Sequence, residues 1–226
     1  MSAAMHPTKG HGSLIHRIIL TKIIHILNSV IVFAINMSRE GVEVVILGTA
    51  QDGGIPQAGC SCKNCTAAHE NYKLKRNPVC CGIKGVDGSF HLIEAGRNLS
   101  EQLKLWSEKM NLENIEKPET VSITHVHLGH VDGLGQFGKE VMNSKDLPLF
   151  ASKKTIEVLE NRNVVSAFRC NVVKSGRAFS PSDTCGFELE FIKVPHRDEE
   201  ADTHAILIHG VNHTEISDAE EQPGTM

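Results

Sequence analysis

Three histidines, His125, His127 and His130, fall within six positions of the segment THVHLGH. The run TVSI just before them predicts a strand that ends where the histidines begin. Because alternate side chains of a strand share a face, His125 and His127 can point at one position beyond the strand end. Imidazole nitrogen is a preferred ligand of zinc and other borderline divalent metals. The segment therefore predicts a metal site, against the alternative of three unrelated histidines near a loop.

A further histidine ligand is expected from a second strand end. The alternating run FELEFIK predicts a strand, and VPHRDE after it carries His196. The alternative for His196 is a surface histidine in a charged loop. The remaining histidines considered are less well placed and are expected to be structural or exposed, namely His69, His91, His204, His209 and His213.

Three cysteines lie on one short loop, GCSCKNC, at Cys60, Cys62 and Cys65. Their spacing lets the thiolates converge on a structural metal ion with one more ligand closing a tetrahedron, and Cys80, Cys81 or a histidine are the open choices. Two alternatives are free thiols in a mobile loop and a redox pair. The total of seven cysteines is odd, so reduced thiols in a cytosol-like compartment are favoured over a disulfide framework.

Helical and strand patterns alternate along the chain and position these clusters. Strands are expected at VEVVILG, 89–96, 120–127, 147–152, 187–196 and 204–210, and helices at 65–75, 98–111, 132–143 and 153–163. Interleaved elements indicate a layered α/β fold. The domain boundaries are predicted as 43–210 for the folded unit, 1–42 for an N-terminal leader and 211–226 for a polar tail.

The N-terminal leader contains an apolar stretch from Ile23 to Ile35 that follows Arg17 and Lys22. A basic flank before 7–15 apolar residues resembles a signal peptide or anchor, which would allow membrane contact through residues 13–36. The stretch is shorter than the ~20 apolar residues of a bilayer span. The alternatives are an amphipathic helix and a leader upstream of Met37. A cytoplasmic location is the main expectation, with an N-terminal membrane anchor as the minor one.

Composition excludes several classes of protein. The 226 residues are 40% hydrophobic but only 4% aromatic, so the core must be built from Ile, Val and Leu. The net charge of −4 comes with no basic patch, so the sequence has no nucleic-acid signature. Neither a phosphate-binding glycine loop nor a Ser/His/Asp arrangement is present. Thirteen histidines remain the outlying feature.

Several motifs resemble the metallo-β-lactamase superfamily. THVHLGHVDGL is similar to its THxHxDHxxGL signature, and LIEAG is similar to its LIDxG strand end, with Glu94 in the aspartate's place. GTAQDGGIPQAGCSCKNC, KRNP and VPHRDEEADT resemble a narrower branch, which holds the pyrroloquinoline-quinone biosynthesis protein B and the phosphonate-pathway cyclic phosphodiesterases. The resemblance covers residues 43–210 and implies an αββα sandwich.

The resemblance also implies which residues hold metal. By matching positions, His125, His127 and His196 make one site, with zinc expected and manganese or iron as alternatives. A similar cysteine run in the phosphodiesterase-like relatives is a structural zinc site completed by a distant histidine. The implied reaction is hydrolysis by a metal-bound water of a small, anionic substrate such as a phosphodiester.

A second metal is implied to be weak or absent. In the family it is held by the motif aspartate and by the histidine that matches His130. Gly129 takes the aspartate's place, as in the protein-B-like branch, and has no side-chain donor. Asp132 or water would have to substitute.

The family's second half is expected to be incomplete here. Its bridging aspartate and last histidine cannot be assigned, because the chain ends about one strand beyond VPH. Exposed apolar sheet would then call for a partner or a second copy of the chain. Two alternatives to a hydrolase follow: a weak or inactive metal-binding protein, and a factor in quinone-cofactor biosynthesis.

Overall fold

The computed structural model describes residues 41–210 and 214–217 of the chain. The strands in chain order are β1 (Glu43–Gly48), β2 (Cys80–Lys84), β3 (Phe90–Ile93), β4 (Thr120–Ser122), β5 (Leu147–Ala151), β6 (Phe168–Val172), β7 (Ala178–Phe179), β8 (Phe187–Lys193), β9 (His204–Gly210) and β10 (Thr214–Ser217). The α-helices are α1 (Lys63–Glu70), α2 (Leu99–Lys109), α3 (Leu128–Val131) and α4 (Lys153–Asn161). Short 3-10 helices cover Tyr72–Leu74 and Leu134–Phe137.

The first six strands form one sheet in the order of the chain. β1, β2 and β3 pair antiparallel, whereas β3, β4, β5 and β6 run parallel, with helical segments between them. The carboxyl ends of β3 and β4 therefore meet at one edge of the sheet. That edge is where ligand sites of parallel sheets lie, and here it carries Glu94 and the THVHLGH segment.

One face of this sheet packs against helices. In α2, Leu99, Leu103 and Trp106 recur at spacings of four and three residues and are all buried, so they form one apolar stripe. Gly82 in β2 leaves room for the Trp106 ring, since a Cβ at Gly82 would lie 2.4 Å from ring atom Cε2. The aliphatic core expected from the composition is found on this face, around Leu149 and neighbouring residues.

The opposite face packs against a second, four-stranded antiparallel sheet, ordered β10-β9-β8-β7. Alternation in β8 buries Phe187, Leu189 and Phe191 in one apolar cluster with Ile83 and Ile93 of the first sheet. The layers are thus helix, sheet and sheet. No helix follows α4 within residues 162–210 and 214–217, so three layers of the expected αββα sandwich lie in the part of the chain that the structure describes.

The α/β class predicted from the sequence is confirmed, but individual elements differ. The predicted helix at 132–143 is wrong: a 3-10 helix covers Leu134–Phe137 and turns follow it. Gly133, Gly135 and Gly138 interrupt this segment, and each glycine costs a helix about 1 kcal/mol relative to alanine. Strands β2, β6 and β7 were not predicted: β2 (CCGIK) does not alternate and β7 has only two residues, whereas the short alternating run FRCNV of β6 was overlooked.

The two ends of the chain bear on the predicted leader and tail. The leader, including residues 13–36, falls almost wholly outside the described residues. None of the helices in the described part of the chain has the length and apolarity to cross a bilayer. Within the predicted polar tail, Thr214–Ser217 instead forms β10, whose backbone pairs antiparallel with β9 from Thr214 opposite His209 onward. Backbone pairing with β9 outweighs the polar composition of these four residues.

Candidate metal centre

Three imidazoles converge at the carboxyl edge of the first sheet. His125 and His127 follow β4 on either side of Val126, whose buried side chain fixes the alternation, and His196 comes from the loop after β8. One ligand nitrogen from each of the three lies within 4.8 Å of the others, and His196 Nε2 is 3.1 Å from His127 Nδ1. Ligand atoms around a tetrahedral zinc ion are spaced by about 3.4 Å. The cluster therefore fits one such ion.

The chemistry of His125 supports the same conclusion. Its side chain is 4% exposed, its Nδ1 is 2.9 Å from the Thr124 hydroxyl, and its buried Nε2 has no hydrogen-bond partner among the described residues. Burial, followed by the neighbouring imidazoles and Arg197, holds the pKa of His125 well below its usual range. A neutral imidazole with an unpartnered nitrogen is the form that binds a metal.

A carboxylate lies on the far side of His127. Its Nε2 lies 3.8 Å from Glu199 Oε2, while its Nδ1 faces His196. Carboxylates that face the second nitrogen of a ligating histidine fix its tautomer and ring orientation. Glu199 therefore favours the arrangement in which Nδ1 of His127 is available to the cluster.

A small, partly open pocket lies beside the cluster. Its lining includes His125, His127, Arg197, Glu199 and Glu200. Glu200 is not free to act there, because both its oxygens accept from the Arg162 guanidinium at 2.9 and 2.8 Å. Arg162 also donates to the Val126 carbonyl at 2.8 Å, which ties α4 to both walls of the pocket.

His130 and Asp132 have other partners. His130 is 2% exposed, its Nδ1 lies 3.4 Å from Glu94 Oε2, and its ring centroid is 3.9 Å from that of His125. It is not among the three converging imidazoles. Asp132 Oδ2 forms an ion pair with Arg97 at 2.9 Å. Ligand roles for His130 and Asp132 stay predictions.

The cysteine loop forms a second cluster. The Sγ atoms of Cys60, Cys62 and Cys65 lie within 4.8 Å of one another, with Cys62 at the N-cap of α1. The backbone N–H of Cys65, and then the Cys60 and Cys65 thiols, lower the pKa of Cys62 to about 7. Gln57 N–H donates to Cys65 Sγ at 3.4 Å. Three converging thiols, of which Cys62 ionises near neutral pH, fit a tetrahedral metal with one further ligand.

Cys80 and Cys81, the two thiols considered as that further ligand, lie in the core instead. They are adjacent in β2 and so face opposite sides of the sheet, each in one of the two apolar clusters. Cys80 Sγ is 3.5 Å from the Glu94 carbonyl, and Cys81 Sγ is 3.9 Å from the Gly82 carbonyl. Neither belongs to the loop cluster of ligand atoms in the described residues.

The remaining histidines agree with the expectation that they are structural or exposed. His91 and His204 are buried, His69 is exposed, and His209 pairs with Glu190 at 2.8 Å. His213 lies outside the described residues.

Sequence reasoning missed the pocket residues Arg197 and Glu199. The sequence did indicate them, because both lie within three positions of His196 and follow the same strand end. It also missed the packing of the Asp52 backbone against Gly129, which no local pattern encodes.

Sequence comparisons find curated relatives over only a short segment of the chain. No family model matches the chain. A segment of 62 residues, 27% of the chain, is 34% identical to the coenzyme PQQ synthesis protein B of Rhodopseudomonas palustris (strain TIE-1) and covers 20% of that protein. The same segment length and identity are found for the protein of strain CGA009. The chain thus matches about a fifth of the length of these curated relatives.

Solved structures match over a longer range. The Zn²⁺-bound PqqB of Methylobacterium extorquens superimposes with a TM-score of 0.64 at 19% identity, over 76% of this chain and 63% of that one. A diphosphatase of the PhnP family gives 0.54 at 21% identity, over 74% and 61%. The metallo-β-lactamase fold protein YhfI of Bacillus subtilis gives 0.53 at 18% identity, over 78% and 61%. The chain therefore has the metallo-β-lactamase fold and resembles the branch of PqqB and the PhnP family within it.

Proposed function

We propose that the chain is a metal-dependent hydrolase whose histidine cluster serves a small anionic substrate with a phosphodiester as the reacting group. The observation that carries the proposal is the convergence of His125, His127 and His196 beside a pocket lined by Arg197. A divalent ion bound there would supply a Lewis acid and an acidified water. The fold shared with a diphosphatase of the PhnP family supports this class of reaction.

The side chains of the pocket divide the remaining tasks. The Arg197 guanidinium can pair with an anionic group of the substrate through two parallel hydrogen bonds. Thr124 and Glu199 hold the rings of His125 and His127 with the ligand nitrogens turned toward the cluster. Glu199 is also the pocket carboxylate that is not tied to Arg162, so it can hold a proton released during hydrolysis.

The test is turnover of bis(4-nitrophenyl) phosphate by the full chain, after reconstitution with Zn²⁺, Mn²⁺ or Fe²⁺ separately. We expect hydrolysis with at least one of these ions and its loss in His196→Ala. Arg197→Gln should raise KM for the anionic diester about tenfold or more and leave KM for the neutral ester 4-nitrophenyl acetate nearly unchanged. Lys109→Gln, which removes an exposed positive charge at the end of α2, is the matched control.

Two results would contradict the proposal. The first is hydrolysis that persists in full in His196→Ala, which would place the activity elsewhere. The second is an ion bound by the histidine cluster with no turnover of diesters, monoesters or carboxylic esters, which would favour a binding protein.

The cysteine cluster is proposed to hold a structural zinc ion. Cys60 and Cys62 lie on the loop that leads into α1 and Cys65 lies in its first turn, and the Gln57 N–H already donates to Cys65 Sγ across this loop. An ion there would stabilise the loop rather than meet a substrate. Cys60→Ala/Cys62→Ala should lose one zinc by elemental mass spectrometry and keep the ion of the histidine cluster, whereas retention of both ions would contradict this assignment.

A second candidate function has its own support. The 34% identity to PQQ synthesis protein B and the superposition on PqqB support a role in quinone-cofactor biosynthesis. An oxidative role of this kind needs a redox-active metal, so the histidine cluster would hold iron rather than zinc. Protein expressed without added metal would then contain iron that is lost in His196→Ala. Iron content above zinc content in the histidine cluster, together with no hydrolysis, would select this function over the hydrolase.

A further inference from the structure

We propose that His130, which faces the Glu94 carboxylate, positions His125 instead of contacting the metal ion. The inference rests on the metal site of the proposed function but not on hydrolysis. It concerns the region behind His125, which consists of Glu94, Gly129, His130 and the backbone of Asp52.

The Glu94–His130 pair is built into the junction of β3 and β4. Glu94 is 0% exposed and has a positive φ of 66°, an unusual conformation for a residue with a side chain. Its Oε1 accepts the backbone N–H of Thr124 at 3.0 Å, and its Oε2 lies 3.4 Å from His130 Nδ1. The backbone closes the same junction, because Ala95 N–H donates to the His130 carbonyl at 2.8 Å. The carboxylate therefore fixes the strand end that precedes His125 through a hydrogen bond, and it faces the ring of His130 at a distance longer than a hydrogen bond.

His130 in turn backs the ring of His125. The two ring centroids are 3.9 Å apart with the planes inclined by 52°, which is closer than either His127 or His196 comes to His125. The His125 ring is held from behind by His130 and at Nδ1 by Thr124, and its Nε2 is left for the ion. Support of this kind sets the orientation of a ligand without contact to the metal.

The space for further ligands beside His130 is closed. A Cβ at Gly129 would lie 2.6 Å from the Asp52 carbonyl oxygen and 2.9 Å from the Asp52 Cα, so backbone stands where a longer side chain would begin. Asp52 itself has φ 46° and reaches this position through the loop after β1. Asp132, the other carboxylate nearby in sequence, is paired with Arg97. Within the described residues, no group of ligand atoms converges around His130.

The test uses Co²⁺ as the probe and counts ions and imidazoles in the full chain. Elemental analysis at saturating Co²⁺ should give two ions per chain, one in each cluster. Proton NMR is recorded on the Co²⁺ form of Cys60→Ala/Cys62→Ala, so that a histidine completing the cysteine cluster adds no signal, and it should show three strongly shifted, solvent-exchangeable signals from imidazole N–H groups. His130→Gln and Glu94→Gln should each keep all three signals at saturation and weaken Co²⁺ binding by the histidine cluster roughly 10- to 100-fold.

The outcomes separate the two roles of His130. A third ion, or a fourth exchangeable imidazole signal that disappears in His130→Gln, would make His130 a ligand and overturn the inference. So would failure of saturating Co²⁺ to restore three signals in both variants while their circular dichroism matches the parent. Glu94→Gln is isosteric and tests the pair if His130→Gln does not fold. His209→Gln, which breaks the partly exposed pair with Glu190, is the control and should leave Co²⁺ affinity unchanged.

Discussion

The neighbouring strands β3 and β4 carry a buried histidine at each end of the pair, and the two ends are built differently. At the amino end, His91 on β3 lies opposite Thr120 on β4, with Ser89 and Asp87 preceding it. At the carboxyl end, Glu94 and His125 follow the same two strands. Both histidines are at most 4% exposed, and burial lowers the pKa of each.

The hydrogen bonds distinguish the two ends. Both ring nitrogens of His91 are satisfied by protein, with Ser89 Oγ 2.7 Å from Nε2 and Thr120 Oγ1 2.9 Å from Nδ1. His125 has one partner, at Nδ1, and its buried Nε2 has none among the described residues. A buried polar atom without a partner costs about 1–3 kcal/mol unless something else satisfies it. Burial alone thus does not distinguish a metal ligand from a structural histidine, whereas an unpartnered nitrogen aimed at two other imidazoles is the arrangement that a metal ligand requires.

The largest effect is expected when the carboxyl end loses two ligands. His125→Ala/His127→Ala should remove one ion per chain and lower kcat/KM for the diester at least 1000-fold, about 4 kcal/mol of activation free energy. Elemental mass spectrometry and the diester assay measure both. His209→Ala serves as the control, because its partly exposed pair with Glu190 lies at neither end of the two strands. If the double variant kept both the ion and the activity, the carboxyl end would not be the metal site and would not differ from the amino end in this respect.

The amino end predicts a pH dependence of stability. Burial lowers the pKa of His91 to about 4, against a usual 6.5, with a smaller opposing effect of Asp87. Between these values the unfolded chain binds a proton that the folded chain does not, so the free energy of unfolding should fall as the pH falls from 6.5 toward 4. The contribution of His91 is roughly 3 kcal/mol.

His91→Gln isolates this contribution, because it keeps hydrogen-bonding atoms but cannot take up a proton. Urea unfolding of parent and variant at pH 7, 5.5 and 4.5 should show the stability of the parent relative to the variant falling by about 2 kcal/mol between pH 7 and 4.5. His125 is present in both proteins, so its own titration cancels in the difference. Parallel pH profiles would show that His91 is not held neutral by the fold.

The next largest effect on stability is expected where the Asp52 backbone packs against Gly129, at the carboxyl end of β3 and β4. Gly129→Ala places a Cβ 2.6 Å from the Asp52 carbonyl oxygen and should lower the free energy of unfolding by about 1–3 kcal/mol. Gly135→Ala is the matched control, since a Cβ there meets nothing within 4 Å, and it should be neutral or stabilise by about 0.5–1 kcal/mol. Urea denaturation measures both variants. Equal stabilities of the two would show that the Asp52 loop does not press on Gly129 and that the space beside His130 is open.

The same contrast explains what the sequence could and could not predict. His125 and His127 were predictable, because a strand with period two places them on one side and the following glycine ends the run. His196 was predictable as a residue at a second strand end. The contact of Asp52 with Gly129 was not, because it joins residues 77 positions apart through backbone atoms that every residue possesses. The engagement of His130 by Glu94 needed the β3–β4 register in the same way.

The smallest effect on stability is expected for the exposed hydrogen bond between Thr184 and Asp87, which lies near His91 at the amino end of β3 and β4. Thr184 Oγ1 donates to Asp87 Oδ2 at 2.5 Å. The hydrogen bond from the Ser89 hydroxyl, followed by this bond from Thr184, lowers the pKa of Asp87 to about 2. Thr184→Val should raise the pKa of Asp87 toward its usual range and lower the free energy of unfolding by only about 0.5–1.5 kcal/mol, because both partners are exposed and water replaces the lost donor. Chemical shifts of the Asp87 carboxyl during an NMR titration and urea unfolding at pH 7 measure the two effects. Thr66→Val, which removes an exposed hydroxyl bonded to the Ser61 carbonyl, is the control and should leave the Asp87 titration unchanged. If Thr184→Val lowered the free energy of unfolding by more than 3 kcal/mol, the stability of the amino end would depend on the exposed Thr184–Asp87 bond rather than on the buried hydrogen bonds of His91.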